Sequence, residues 1–207
     1  VAEEKQLIVA LSKKIIRHAL EFIMLLEKEG ADELTVSVNI SAIQLLREEF
    51  VGDIIDLVQE YAISPDKLVL EITESMLAQN YSEINDKLSL LQNAGFRIAI
   101  DDFGTGYSSL ARESELNVNY IKIDKYFIDK LLVLKDIEDS ITGDIISMTH
   151  KMGHLAIAEG VEYEKQRDYL KKYGCDSIQG YLISRPLDEE AAIEFLKKQT
   201  SIKSSVP

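Results

Sequence analysis

Carboxylates, an amide and a lysine recur wherever a short apolar run of this 207-residue chain gives way to polar sequence. Asn39 and Ser41 end the first such run, Glu71 and Glu74 the second, and Asp101-Asp102 the third. Lys122 and Asp124 close the fourth, Glu159 and Glu162 the fifth, and Gln179 stands in the sixth. Adjacent acids such as Asp101 and Asp102 repel one another unless a cation or a proton lies between them. Carboxylate and amide oxygens are hard ligands, suited to Mg2+ or Mn2+ rather than Zn2+. A lysine among them stays charged and can hold an attacking water or an anionic oxygen. One acid after a strand is commonplace as a helix cap. Acids after three separate runs, with a lysine after a fourth, exceed what capping requires.

The elements that must position these residues are legible in the apolar pattern. Strand-like runs cover residues 34–40, 67–72, 97–100, 120–123, 155–158 and 177–182. Amphipathic helical stretches cover 44–61, 81–94, 137–152, 164–173 and 189–198, after an opening helical pattern that includes Leu11, Ile15, Ile16, Ala19, Phe22 and Ile23. Such alternation predicts an α/β fold with a parallel sheet and helices outside it. The expected architecture is a modified TIM-type (β/α)8 barrel lacking its N-terminal strand or strands, in which strand ends converge on one face. A single domain is expected over residues 1–199, with a disordered polar tail over 200–207.

Composition narrows the partners. A formal net charge of -13 argues against polymeric nucleic acid, which needs clustered Lys and Arg. A small anionic ligand stays compatible if divalent cations offset the repulsion. The apolar runs are too short to span a bilayer, and the start is not that of a signal peptide. Cys175 is the sole cysteine, so a reducing cytoplasm is the expected compartment and Cys175 reads as a packing residue. His150 and His154 have the spacing of a helical metal pair, but Gly153 between them is expected to end the helix.

Six motifs stand in order along residues 38–186. They are Val38-Asn39-Ile40-Ser41, Leu70-Glu71-Ile72-Thr73-Glu74, the run from Asp101-Asp102-Phe103-Gly104-Thr105-Gly106 to Tyr107-Ser108-Ser109-Leu110, Ile121-Lys122-Ile123-Asp124, Ala158-Glu159-Gly160-Val161-Glu162 and Ile178-Gln179-Gly180-Tyr181. Together they make the chain resemble an EAL-type cyclic-di-GMP phosphodiesterase domain, and the Asp-Asp loop is the most specific of them.

The resemblance implies two ions per site, Mg2+ or Mn2+, with Asn39, Glu71 and Asp101 holding one and Asp101 and Asp102 the other. It gives Glu159 the part of a ligand or general base, Lys122 that of orienting the nucleophilic water, and Gln179 that of supporting metal-bound waters. Glu74 resembles the residue that anchors the loop containing Thr105. Ser41 and Arg185 are the candidates for substrate contact, although Pro186 also marks that segment as a helix start. The implied reaction is hydrolysis of one phosphodiester of the bacterial second messenger cyclic di-GMP to the linear dinucleotide pGpG. Implied partners are a second copy of the chain, through the apolar 126–134 stretch, and a flanking sensor or GGDEF-type domain in a longer protein whose membrane tethering the sequence leaves open.

One departure bears on activity. The family takes its name from a Glu-Ala-Leu segment on its first barrel strand, whose Glu is a metal ligand, and no such segment occurs here. Two readings follow, an N-terminally incomplete phosphodiesterase domain and a catalytically inactive receptor or protein-interaction module. A third, an Mg2+ barrel enzyme that abstracts a proton beside a carboxylate, accounts for the acids and the lysine. It gives no reason for the Asp-Asp loop.

Overall fold

Leu68, Val69, Leu70 and Ile72 are all buried, the near-continuous apolar run that a strand needs when both its faces are covered. The computed structural model describes residues 7–104, 115–133 and 140–204. In it the strand segments form one sheet in the order of the sequence: β1 (Val36–Asn39), β2 (Leu68–Thr73), β3 (Arg97–Phe103), β4 (Tyr120–Ile123), β5 (Leu155–Ala158) and β6 (Ser177–Ile178). Every neighbouring pair is parallel. A sheet that advances one strand at a time without reversing keeps its crossover helices on one side, as a barrel wall does and a doubly wound sheet does not.

The helices are α1 (Leu7–Lys28), α2 (Ala42–Leu45), α3 (Phe50–Glu60), α4 (Leu77–Asn93), α5 (Lys125–Val133), α6 (Thr142–Lys151), α7 (Glu164–Lys172) and α8 (Glu189–Ser204). The longer ones turn mainly apolar residues inward. In α3 the buried residues are Phe50, Ile54, Leu57 and Val58, the spacing of one helical face. Among the described residues no helix is long and apolar enough to cross a membrane.

Several boundaries differ from the sequence reading: β3 runs on to Phe103, α4 begins at Leu77, and three further differences have a visible cause or consequence. The stretch 44–61 divides into α2 and α3, because Ser41 starts a helix one turn long. The Ser41 hydroxyl and N–H donate to the Gln44 side chain at 2.8 and 3.0 Å, and Gln44 in turn donates to the buried Ser12 hydroxyl. The Arg47 carbonyl then accepts from Lys87 Nζ at 2.5 Å and from the Phe50 N–H at 3.2 Å, so the chain leaves the helix with that acceptor satisfied. The run 177–182 is strand only over Ser177–Ile178, since it turns after Gly180. The helix α8 continues to Ser204, into the segment expected to be a disordered tail.

Cys175 and the histidines serve packing and hydrogen bonding. Burial pushes the Cys175 thiol up to about 11, against hydrogen bonds to Ser177 and Ala158 that act the other way, so it stays a thiol at neutral pH. His154 Nδ1 lies 3.0 Å from the Val118 carbonyl oxygen, while His150 Nε2 lies 2.8 Å from Asp176 Oδ2. That Asp176 oxygen also accepts the Ala156 N–H at 2.8 Å. Burial opposes ionisation of Asp176, but the Ala156 N–H and the His150 ring outweigh it and hold the carboxyl below its ordinary value. A depressed folded-state value adds stability that is present above the unfolded value, about 3.9, and is lost as pH falls through the folded one. Urea denaturation across the acid range is therefore expected to show a shallower loss of stability in Asp176→Asn than in the unsubstituted chain. Parallel acid limbs would contradict this.

Candidate active site

Parallel strands put all their C-terminal ends on one edge of the sheet, and register decides which residues meet there. Asn39 pairs with Glu71, Thr73 with Asp101, Lys122 with Ile157 and Ile123 with Ala158, one residue before Glu159. At the centre is Lys122, 4% exposed. Its Nζ lies 2.7 Å from Glu71 Oε2, 3.2 Å from Asp101 Oδ1 and 2.7 Å from Glu159 Oε1. One ammonium thus serves three carboxylates drawn from three other strand ends.

The charges do not balance, and the titration directions reflect this. Burial alone would depress the Lys122 ammonium, but its hydrogen bonds to Glu159 and Glu71 outweigh it and hold the group above the ordinary lysine value. Lys122 is a permanent cation at neutral pH. Glu159 nevertheless moves up, because desolvation and the charges of Asp101 and Glu71 exceed what a share of one ammonium returns. Asp102 also moves up, through desolvation and then the charges of Asp101 and Asp124. Among the described residues the cluster's carboxylates outnumber the single ammonium, Lys122, that they share.

The way Asp101 and Asp102 come to sit together is local. Successive side chains of a regular strand point to opposite faces, which would separate the two carboxylates. The register between β3 and β4 shifts between Ile100 and Phe103, and Asp102 takes φ +56°. Such an irregularity breaks the alternation, and a non-glycine residue in the left-handed region is strain of the kind held at functional sites. Gly104 is held from the turn just after β2, where the buried Glu74 accepts the Gly104 N–H on Oε2 at 2.8 Å.

The remaining candidates fall as follows. Asn39 is exposed at the end of β1 beside Glu71. The Ser41 hydroxyl is engaged as the α2 cap. Gln179 follows β6, its N–H donating to Ala158 O at 2.8 Å and its carbonyl accepting the Val161 N–H at 3.0 Å. The Arg185 guanidinium stacks 5.1 Å above the exposed Tyr181 ring. Thr105 lies outside the described residues. Sequence reasoning passed over Lys125 and Gln166, which fasten residues 160–163. Neither carries a signal in its type, one resembling a solvated lysine and the other a helix-surface amide.

The donors fit hard divalent cations by chemistry and charge. Four carboxylates and an amide oxygen gather at one rim with a net negative excess, and an ammonium already sits among three of them as a cation would. They form no ready-made cage. Among the described residues no three His, Cys, Asp or Glu side chains are arranged to hold an ion.

A parallel sheet wound in one direction, with acids and a lysine gathered at its C-terminal rim, defines a barrel-type domain with its candidate site at the strand ends. The chain belongs to the EAL domain family, whose model matches residues 1–186. It is 40% identical over 201 residues to the signaling protein YkoW of Bacillus subtilis, covering 97% of this chain and 25% of YkoW. It is 36% identical to the cyclic di-GMP phosphodiesterase NbdA of Pseudomonas aeruginosa, covering 95% of this chain and 25% of NbdA. The chain therefore spans about a quarter of the length of these curated relatives. Among solved structures it superposes on the PaMucR phosphodiesterase in complex with c-di-GMP, with TM-score 0.86, 33% identity and coverage of 92% of this chain and 77% of that one. It also superposes on Klebsiella pneumoniae BlrP1 in its manganese and cy-diGMP complex, with TM-score 0.74, 26% identity and coverage of 90% and 46%.

Proposed function

We propose that this domain hydrolyses one phosphodiester bond of cyclic di-GMP to give pGpG, using two divalent ions, Mg2+ or Mn2+. The observation that carries the reading is the Lys122 ammonium held among Glu71, Asp101 and Glu159 at the strand ends. A permanent cation cannot accept a proton, so Lys122 acts as a donor that orients a water or a phosphoryl oxygen. Glu159 serves as the proton acceptor: desolvation raises its carboxyl, and it lies 2.7 Å from the ammonium that orients the water. Asn39, Glu71, Asp101, Asp102 and Glu159 are the residues that would hold the metal. When bound it supplies a Lewis acid and a lowered water pKa. Glu74 keeps the Asp-Asp loop in place, with Thr105 in that loop. Ser41, Gln179 and Arg185 belong to the rim that faces substrate and solvent.

Relatives and solved neighbours named for cyclic di-GMP support the substrate. The same reading places the domain in the cytoplasm, as one module of a longer protein with a sensor or GGDEF-type neighbour. Its route to a homodimer is α5, where Tyr126 and Val133 are 58% and 72% exposed.

The test is conversion of cyclic di-GMP to pGpG by the purified chain with Mg2+ or Mn2+, followed chromatographically. Turnover that stops on chelation is the expected result. Binding of the dinucleotide without turnover would replace the enzyme by a receptor, and absence of both would leave an interaction module.

A further inference from the structure

The segment Glu159-Gly160-Val161-Glu162 must hold one carboxylate against Lys122 while it bridges β5 and α7. Gly160, at φ +69°, gives it no stiffness of its own. Two side chains from neighbouring elements fasten it. Lys125 opens α5 and lays its stem across Gly160, so closely that a Cβ at residue 160 would overlap it. Its ammonium donates to Glu162 Oε1 at 2.8 Å, to Asp129 Oδ1 at 3.0 Å and to the Gly160 carbonyl at 3.4 Å. From the other side, the fully buried Gln166 of α7 accepts the Glu162 and Tyr163 N–H groups on Oε1 at 2.8 and 2.9 Å. Its Nε2 donates to the Ile128 carbonyl of α5 at 3.0 Å.

Both ties end on α5, and α5 begins three residues after Lys122 on the same stretch of chain. The brace therefore references the Glu159 segment to the element that carries its partner ammonium. With Asp129 alone, Lys125 would be an ordinary i,i+4 helix pair. Its contacts with Gly160 and Glu162 reach across 35 and 37 residues of sequence, which surface pairing on one helix does not explain. Gly160 has to be glycine for the stem to lie there, so the two residues form one device.

We propose that Lys125 is a positioning residue that fixes the 159–162 segment through Gly160 and Glu162 and thereby sets the Glu159 carboxylate against Lys122. Its consequence for turnover rests on the hydrolase reading above; the brace itself does not. Lys125→Met keeps the stem and removes the ammonium, Lys125→Arg keeps the charge, and Asp129→Asn removes only the helix-surface partner. The measurements are amide hydrogen exchange over residues 159–163 and the separate kcat and KM for cyclic di-GMP.

Lys125→Met is expected to speed exchange in that segment about tenfold. Its kcat should fall about 10- to 100-fold with KM nearly unchanged, since a displaced catalytic group acts on the chemical step. Lys125→Arg should recover most of both, and Asp129→Asn should leave both near their starting values. Unchanged exchange in Lys125→Met would overturn the brace. Faster exchange with unchanged kcat would overturn the positioning role. Should the unsubstituted chain hydrolyse nothing, the hydrolase reading falls, and exchange alone decides whether Lys125 fixes the segment.

Discussion

Replacing Lys122 by Met is expected to lower cyclic di-GMP hydrolysis by about a hundred- to a thousandfold, the range for loss of one preorganised donor at a reacting centre. It also weakens the metal-free fold by about 3 kcal/mol, as removal of one partner of a buried ion pair does. The stability effect follows from arithmetic within the site. With the ammonium gone, Glu71, Asp101 and Glu159 keep their positions, with side chains 10%, 16% and 17% exposed, and nothing among them opposes three negative charges. Glu159, already raised by desolvation, rises further once the ammonium that lowers it is gone. A group whose folded value lies above its unfolded one gives stability at low pH that is lost as pH rises through the folded value. The variant should therefore unfold more easily toward neutral pH, opposite in sign to the Asp176 effect. Added Mn2+ should recover part of this loss by binding only the folded form. Thermal unfolding with and without Mn2+, beside initial rates, reads all three. Activity within tenfold of the unsubstituted chain would refute the assignment of Lys122.

What the sequence made legible here is what depends on chain period and on residue type at a strand end. The run Leu68–Thr73 reads as a buried strand because it offers no polar face, and Glu71 stands out within it for the same reason. The membership of the Lys122 cluster was legible too, since each member stands in or directly after a run that must be strand. Its arrangement was not. That one ammonium would meet three carboxylates depends on parallel register, Lys122 beside Ile157 and Asn39 beside Glu71, and register is a property of pairs of strands.

The same holds where the reading erred. Leu46, Phe50, Ile54, Leu57 and Val58 keep helical spacing straight through the break between α2 and α3. The break is set by Gln44 turning inward to Ser12, thirty-two residues away. It also commits the Ser41 hydroxyl to the cap, a use its motif does not announce. The turn of Asp102 out of regular strand alternation rests on a bulge whose only sequence trace is Gly104, two residues past the acids.

Gly180→Ala should be the most destabilising single methyl that can be added near the site. An ideal Cβ at Gly180 would run into the backbone nitrogen, oxygen and carbonyl carbon of Val161. Backbone there is held by the Val161 N–H to Gln179 O and the Leu182 N–H to Val161 O, both 3.0 Å, so it cannot step aside without giving up the bonds that continue the sheet past β6. Gly160→Ala is the matched control, because the methyl at residue 160 meets the flexible Lys125 stem rather than backbone. Overpacking of a tight site costs about 1–3 kcal/mol and sometimes more, so Gly180→Ala is expected at or above about 3 kcal/mol. For Gly160→Ala the left-handed backbone alone accounts for about 1–2 kcal/mol. Activity should follow the same order when both variants are assayed below their unfolding temperatures. Gly180 sets the approach of the Gln179 strand end to the Glu159–Glu162 segment, whereas the Gly160→Ala methyl displaces a brace and leaves that approach standing. Urea denaturation of the two variants decides it. Gly160→Ala proving the less stable would show that the close backbone approach at Gly180 does not hold the fold as described.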